Sequence, residues 1–332
     1  MNENLEKNVA PQENSEAQAT SLITFEKPKV DAPSYDKIVE EARDELYKAY
    51  KKSRKISNII TIVVLIASLG GMLCITQNDP NLAFLPIIGW VIIGLTVAGL
   101  FAFYLFNRNK FPNRTREYIK VITKALNEAN FADEKFTEVT SNLEEKLSIE
   151  EIIGDSAYEN VASVSSRNVI HGKYCGNDFL MAECALNRPS QNKKEGPLFV
   201  GRYLTLPNSL EMKGRIIITI KNHQTPLDLP NKVNDLTCLK DEQALSVYGL
   251  KETDVEKVLG KKFYNEFLSK FALKDHLVNV NLVVWSGKSS LYLSYDDAAM
   301  TLPFDKPLVK EAVDQMIENL NDACALLMKI GK

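Results

Sequence analysis

Three histidines and five cysteines are the first candidates for nucleophilic or metal-ligating chemistry in this 332-residue chain. His171 and Cys175 stand four apart, a spacing that on a helix would suit a metal or a thiolate–imidazole pair. They fall in a stretch read as a β-strand, where positions i and i+4 share a face but lie about 13 Å apart. They therefore read as strand residues, and no metal ligand is assigned. His223 and His276 lie in polar, loop-like surroundings. A hydrolase would need a nucleophile, a base and an orienting acid in one cleft, and the chain has no G-x-S-x-G turn to present a serine. No catalytic residue is assigned. Asp296 and Asp297 close a strand; two acids there would suit a divalent cation only with convergent partners, and without them they read as solvated turn residues. Gly287-Lys288-Ser289 has the end of a phosphate-binding loop, but such a loop needs a glycine five residues before the Gly-Lys pair. That position is Leu282, and the segment joins two strands rather than opening a helix. Gly196–Gly201 lacks a following lysine and reads as the start of a strand. Phe179, Phe199 and Tyr203 read as sheet core. Cys74, Cys175, Cys184, Cys238 and Cys324 are scattered without a C-x-x-C, as reduced thiols of a cytosolic compartment are. No motif calls for a cofactor.

The elements that must position these residues begin with two uncharged apolar runs, Ile56–Thr76 and Leu82–Phe106, separated by Gln77-Asn78-Asp79-Pro80-Asn81. A bilayer core of about 30 Å needs about 20 apolar residues of helix, and both runs meet that length. Lys48, Lys51, Lys52, Arg54 and Lys55 precede the first; Arg108, Lys110, Arg114, Arg116 and Lys120 follow the second; the connecting loop holds one acid, Asp79, and no base. Positive-inside asymmetry predicts a transmembrane helical hairpin with both termini cytoplasmic, in a cell (inner) membrane. The juxtamembrane position of Lys48, Lys51, Lys52, Arg54, Lys55, Arg108, Lys110, Arg114 and Arg116 points to anionic lipid headgroups rather than nucleic acid. A long polar segment precedes the first run, so it does not read as a cleavable signal peptide. Ala67 and Gly71, and Gly94 and Ala98, repeat at a spacing that either lets helices approach closely or reflects the ordinary glycine content of membrane helices. Neither run contains an ionisable residue that would relay ions or protons.

Residues 1–33 are polar and poor in large apolar side chains, which predicts a disordered tail. Residues 34–55 predict an amphipathic juxtamembrane helix with Ser34 as N-cap and Ile38, Val39, Ala42, Leu46 and Ala49 on one face, continuing into the hairpin, 56–106. Within 107–332, helical spacing is read over Arg114–Asn130, Ala132–Leu147 and Ser148–Val161; Ser148-Ile-Glu-Glu151 has the form of a capping box. From Asn168 the pattern turns to strands. A hairpin around Gly176-Asn177 is followed by Leu198–Leu206, Arg215–Ile220, Ser246–Tyr248 and a hairpin around Gly287 joining Val278–Trp285 to Ser289–Tyr295. Asp254–Phe271 and Pro307–Met328 have helical spacing. The expected fold class is α+β: an N-terminal two-helix transmembrane hairpin, then a cytoplasmic, mainly antiparallel sheet packed by helices. About 220 residues suffice for one sizeable core.

On Ile170-His-Gly-Lys-Tyr-Cys-Gly-Asn-Asp-Phe179 with Glu183, Leu198-Phe-Val-Gly-Arg-Tyr203, Met212-Lys-Gly-Arg-Ile216 and the C-terminal helix–hairpin–helix pattern, the chain resembles the bacterial domain-of-unknown-function family 3137. The resemblance covers roughly residues 40–330. It implies a basic-flanked helical hairpin followed by a cytoplasmic α+β domain, and no activity, cofactor or catalytic residue. The function read from the sequence is that of a membrane-anchored scaffold or binding module at the cytoplasmic face. A protein partner or homo-oligomer would engage it through residues 34–55, the tail or the hairpin. The alternative is a membrane-associated enzyme, a hydrolase in an unfamiliar fold.

Overall fold

The computed structural model describes residues 22–24, 34–76, 82–107, 110–153, 157–158, 161–189, 196–221, 236–242, 245–253, 255–296 and 305–331. The chain divides into two compact units, one of Pro33–Ala125 with Pro303–Leu308, the other of Met1–Ala32, Leu126–Leu302 and Val309–Lys332.

The helical unit is built on α1, Tyr35–Ile75, and α2, Leu85–Asn107. α1 runs unbroken for 41 residues from the amphipathic stem through the first apolar run, as its sequence predicts. Both helices are long and apolar enough to cross a membrane. Their apolar side chains face outward: Leu73 is 67% exposed, Ile87 68% and Trp90 65%. The helices meet where neither has a side chain, since a Cβ built on Gly89 would lie 2.5 Å from the Gly71 carbonyl oxygen. Gly71 was expected at such a crossing. Gly94 was too, but nothing lies within 4 Å of its would-be Cβ, and Gly89 takes its place. The third helix, α3, spans Lys110–Asn130 and begins four residues earlier than its spacing indicates. Pro112 falls in its first turn, where a missing N–H costs no helical hydrogen bond.

The other unit is a ten-stranded sheet. Its strands are β1 Leu22–Thr24, β2 Phe136–Asn142, β3 Ser163–Tyr174, β4 Asn177–Asn187, β5 Phe199–Pro207, β6 Ile216–Lys221, β7 Thr237–Glu242, β8 Leu245–Gly249, β9 Leu277–Trp285 and β10 Lys288–Tyr295. Their order is β1-β2-β3-β4-β5-β10-β9-β6-β8-β7, with each neighbouring pair antiparallel. β1 lies inside the segment read as a disordered tail; the rest of that segment falls outside the described residues. Among the described residues the unit also holds four helices: α4 Ile149–Ile153, α5 Val255–Leu259, α6 Lys261–Phe271 and α7 Lys310–Leu327.

The central strands of the sheet are buried on both faces. On one, Leu204, Leu293, Leu282 and Ile218 pack with Phe263, Phe267 and Phe271 of α6 and Met316, Leu320 and Leu327 of α7. On the other, Tyr203, Tyr292, Val283 and Ile217 pack with Leu147, Ile152 and Tyr158. This is why β6 reads Ile-Ile-Ile without alternation. Fully burying one such side chain contributes about 1.5–3 kcal/mol.

Four expectations are corrected. Residues 132–147 hold the strand β2, Phe136–Asn142, between turns, and no helix. A bulge between Thr137 and Thr140 turns both Phe136 and Val139 inward, and that three-residue interval imitates helical spacing. The helix expected over Ser148–Val161 is only α4 among the described residues. Its capping box forms as drawn, with the Ser148 N–H donating to Glu151 Oε2 at 2.7 Å and the Glu151 N–H to Ser148 Oγ at 3.2 Å. The β3–β4 turn is Cys175-Gly176, one residue before the expected Gly176-Asn177. Both turn residues have positive φ, 49° and 82°, as a two-residue turn matched to strand twist requires. Gly260, at φ 80°, splits the single helix expected over Asp254–Phe271 into α5 and α6.

Candidate functional site

The charged flanks of the hairpin come together in one place. On α1, Glu45, Lys48 and Lys52 fall on the same face at intervals of three and four residues. On α3, Arg114 and Glu117 are three apart and Val121 follows one turn on. These residues, with Ala42, Leu46, Ala49 and Tyr118, line a cleft of about 590 Å³ within the helical unit. Leu46 and Tyr118 are buried and form its floor, while the five charged side chains stand exposed around it. Burial pushes the Tyr118 phenol above its ordinary pKa, with Arg43 pulling it the other way. Of the nine basic residues assigned to lipid contact from sequence, the cleft gathers Lys48, Lys52 and Arg114. Lys51 turns to the Tyr47 ring, its Nζ 4.4 Å from the centroid. Arg54, Lys55 and Arg116 are exposed outside the cleft. Arg108 lies outside the described residues, as does the Lys110 side chain.

The stem of α1 is held from its far end. Glu40 Oε1 accepts the Leu308 N–H at 2.7 Å, and its Oε2 accepts from Arg43 Nε at 2.7 Å. Burial alone would raise the Glu40 pKa; the Leu308 N–H and Arg43 outweigh it and hold the carboxyl below its ordinary value of 4.5. A depressed carboxylate pKa adds stability that is present above the unfolded value and is lost as pH falls through the folded one. The Leu308 amide resonance should therefore shift on acidification with a midpoint below 4.5, and Glu40→Gln should remove that titration. A midpoint at or above 4.5 would contradict the contact.

The residues first considered for catalysis do not converge. His171 Nε2 lies 2.9 Å from Glu145 Oε1 on the exposed surface, and Cys175 occupies the β3–β4 turn. His276 Nδ1 lies 2.9 Å from Asp296 Oδ2, and the His276 backbone N–H donates to Gln315 Oε1 at 2.9 Å. This is an oriented imidazole–carboxylate pair, but among the described residues no serine or cysteine is hydrogen-bonded to the ring. His223 and Asp297 lie outside the described residues. Burial pushes the Cys184 thiol up to about 12 and the Cys324 thiol higher still, away from the thiolate form. Among the described residues no group of three or more His, Cys, Asp or Glu side chains is placed to hold a metal. Gly287 is a turn residue at φ 80°, and its N–H donates to Leu210 O and Asn208 Oδ1.

One group escaped the sequence reading. Arg202, on β5, is 2% exposed. Its Nη1 donates to Asn130 Oδ1 at 3.2 Å and to the Met316 carbonyl at 3.0 Å. It thereby joins, within the sheet unit, the last turn of α3 (Leu126–Asn130), the middle of α7 and the centre of the sheet. Its signal was a lone cation inside the apolar run Leu198–Leu206. On β3, Asn168, at φ 53° where the strand bulges, exchanges hydrogen bonds with Asn127 at 2.9 and 3.2 Å and accepts from Ser141 Oγ at 2.8 Å.

No family model matches the chain. No curated protein matches it either. Among solved structures it is similar to the crystal structure of the mycobacterial trehalose monomycolate transport factor A, TtfA, at 13% identity and a TM-score of 0.30, over 51% of this chain and 76% of that one. A likeness at that score assigns no function.

Proposed function

We propose that the chain is a membrane-anchored module, with α1 and α2 crossing the inner membrane as a hairpin and the sheet unit held at the cytoplasmic face. One observation carries this reading: the outward apolar surface of both helices gives way, without a break in α1, to a stem that presents Lys48 and Lys52 beside Arg114. Apolar surface of that extent is favourable in lipid and costly in water. The cations next to it complement anionic headgroups at roughly 1 kcal/mol each. The resemblance to domain-of-unknown-function family 3137 belongs to the same proposal and adds no activity to it. A module that binds or scaffolds is favoured by the charged cleft between α1 and α3, with no nucleophile–base–acid constellation among the described residues.

The topology has a direct test. In intact cells, a thiol reagent that cannot cross membranes should label a cysteine placed at Asn78 and spare one placed at Asn4. Labelling at Asn4 with protection at Asn78 would reverse the orientation. Labelling of neither site before lysis and of both after it would remove the spanning hairpin.

A further inference from the structure

Resting on that anchored reading, we propose that the cleft between α1 and α3 is a site for one phosphatidylethanolamine headgroup of the cytoplasmic leaflet. The five charges around the cleft are not spent on each other. Among the described residues none of Glu45, Lys48, Lys52, Arg114 and Glu117 forms an ion pair. Three cations and two carboxylates sharing one concavity would ordinarily pair where geometry allows, and here they face a common space.

Their order along the helices matches one ligand. On α1, Lys52 stands nearest the apolar run that begins at Ile56, with Lys48 about 6 Å and Glu45 about 10.5 Å farther from it at about 1.5 Å per residue. α3 runs the other way, leaving the hairpin, so Arg114 comes first and Glu117 follows about 4.5 Å beyond. On both helices the cation lies on the membrane side and the carboxylate on the far side. A glycerophosphoethanolamine standing in a leaflet has the same polarity: the phosphate lies next to the glycerol, and the ammonium two carbons outward. Lys52, Arg114 and Lys48 are placed to take the phosphate oxygens. Glu117 and Glu45 are placed to accept hydrogen bonds from the primary ammonium, which are charge-assisted and so among the stronger kind. Leu46 and Tyr118, on the floor, offer apolar contact to the methylenes between.

The carboxylates are what discriminate. A phosphatidylglycerol headgroup brings the phosphate but no cation, and leaves both acids near an added negative charge. A phosphatidylcholine headgroup brings a cation that has no N–H to donate. Inorganic phosphate satisfies only the lower half of the cleft.

The test uses the full chain, delipidated in detergent and titrated with phosphatidylethanolamine, phosphatidylglycerol or phosphatidylcholine, with bound lipid counted by native mass spectrometry. One phosphatidylethanolamine per chain should bind about tenfold more tightly than phosphatidylglycerol, as two exposed charge contacts would give. Glu45→Gln with Glu117→Gln should erase that preference, and Lys52→Gln with Arg114→Gln should weaken both lipids by a similar factor. All four positions are exposed, so unchanged thermal unfolding of the variants certifies their fold. Equal binding of the two lipids, or a preference that survives loss of both carboxylates, overturns the assignment. Alkaline extraction of native membranes separates the two levels. A chain that stays with the membrane but does not discriminate refutes the headgroup site alone, whereas a chain released into solution refutes the anchor and the site with it.

Discussion

Gly201→Ala should destabilise the sheet unit by about 3 kcal/mol, at the upper end of overpacking costs. A Cβ at this position would lie 2.0 Å from the Leu293 carbonyl oxygen and 2.9 Å from the Leu293 carbonyl carbon. Both are main-chain atoms of β10, the strand that pairs with β5 at this point. Neither can turn aside as a side chain would. Gly201 pairs with Ser294, so the carbonyl of the preceding Leu293 occupies the space that a side chain on β5 would fill. A glycine inside a strand commonly marks such an approach. Urea unfolding followed by Trp285 fluorescence in a Trp90→Phe background should show the lowered midpoint. Val200→Ala, on the same strand but 39% exposed, should change stability by less than about 0.5 kcal/mol. A Gly201→Ala protein as stable as its parent would mean that the two strands do not meet this closely.

Gly201 also shows where sequence reasoning stops. Its place in a strand was legible from the apolar run around it, as were the two C-terminal hairpin strands to within one residue and α7 to within three. The same run hid the reason for the glycine, since only the partner strand, some ninety residues downstream, supplies the obstructing oxygen. β2 failed for a related reason. A strand with a bulge abandons its two-residue period, and the Phe136–Val139 interval that results is helical to any reading of spacing alone. The Cys175-Gly176 turn slipped by one residue because Asn177 is as good a turn former as Cys175 is a poor one, and only the β3–β4 register decides between them.

The cleft was half legible. Runs of lysine and arginine against an apolar segment announce a membrane interface, and Lys48, Lys52 and Arg114 could be named from that signal. Glu45 and Glu117 could not. An acid in a basic flank reads as noise in a charge count, and its meaning depends on which helical face it shares and what stands opposite. Helical intervals place Glu45 with Lys48 and Lys52, but no sequence interval places Arg114 and Glu117 across from them. That juxtaposition is made by the hairpin crossing, so the integrity of the crossing governs the site.

Gly89→Val should therefore disturb the cleft from a distance. At Gly89 an added Cβ would meet Gly71 O at 2.5 Å, Ile75 Cγ1 at 2.7 Å and Cys74 Cβ at 3.1 Å. Comfortable carbon contacts need about 3.5–4.0 Å, so the helices must part by about 1 Å or more. Overpacking of this kind costs about 1–3 kcal/mol. In the lipid environment proposed for the hairpin, no hydrophobic gain between helices would offset it, because association there rests on packing. Parting α1 from α2 carries the stem of α1 away from α3, which follows α2 after a short link. Spin labels on Ser53→Cys and Asn113→Cys, both exposed and outside the cleft, report that separation once the exposed thiols Cys175 and Cys238 are replaced by serine. Their distance distribution should lengthen and broaden in Gly89→Val. It should be unchanged in Gly94→Val, where the added side chain meets open space. An unaltered distribution in Gly89→Val would separate the crossing from the stems, and the cleft would then owe its shape to the contacts between α1 and α3 alone.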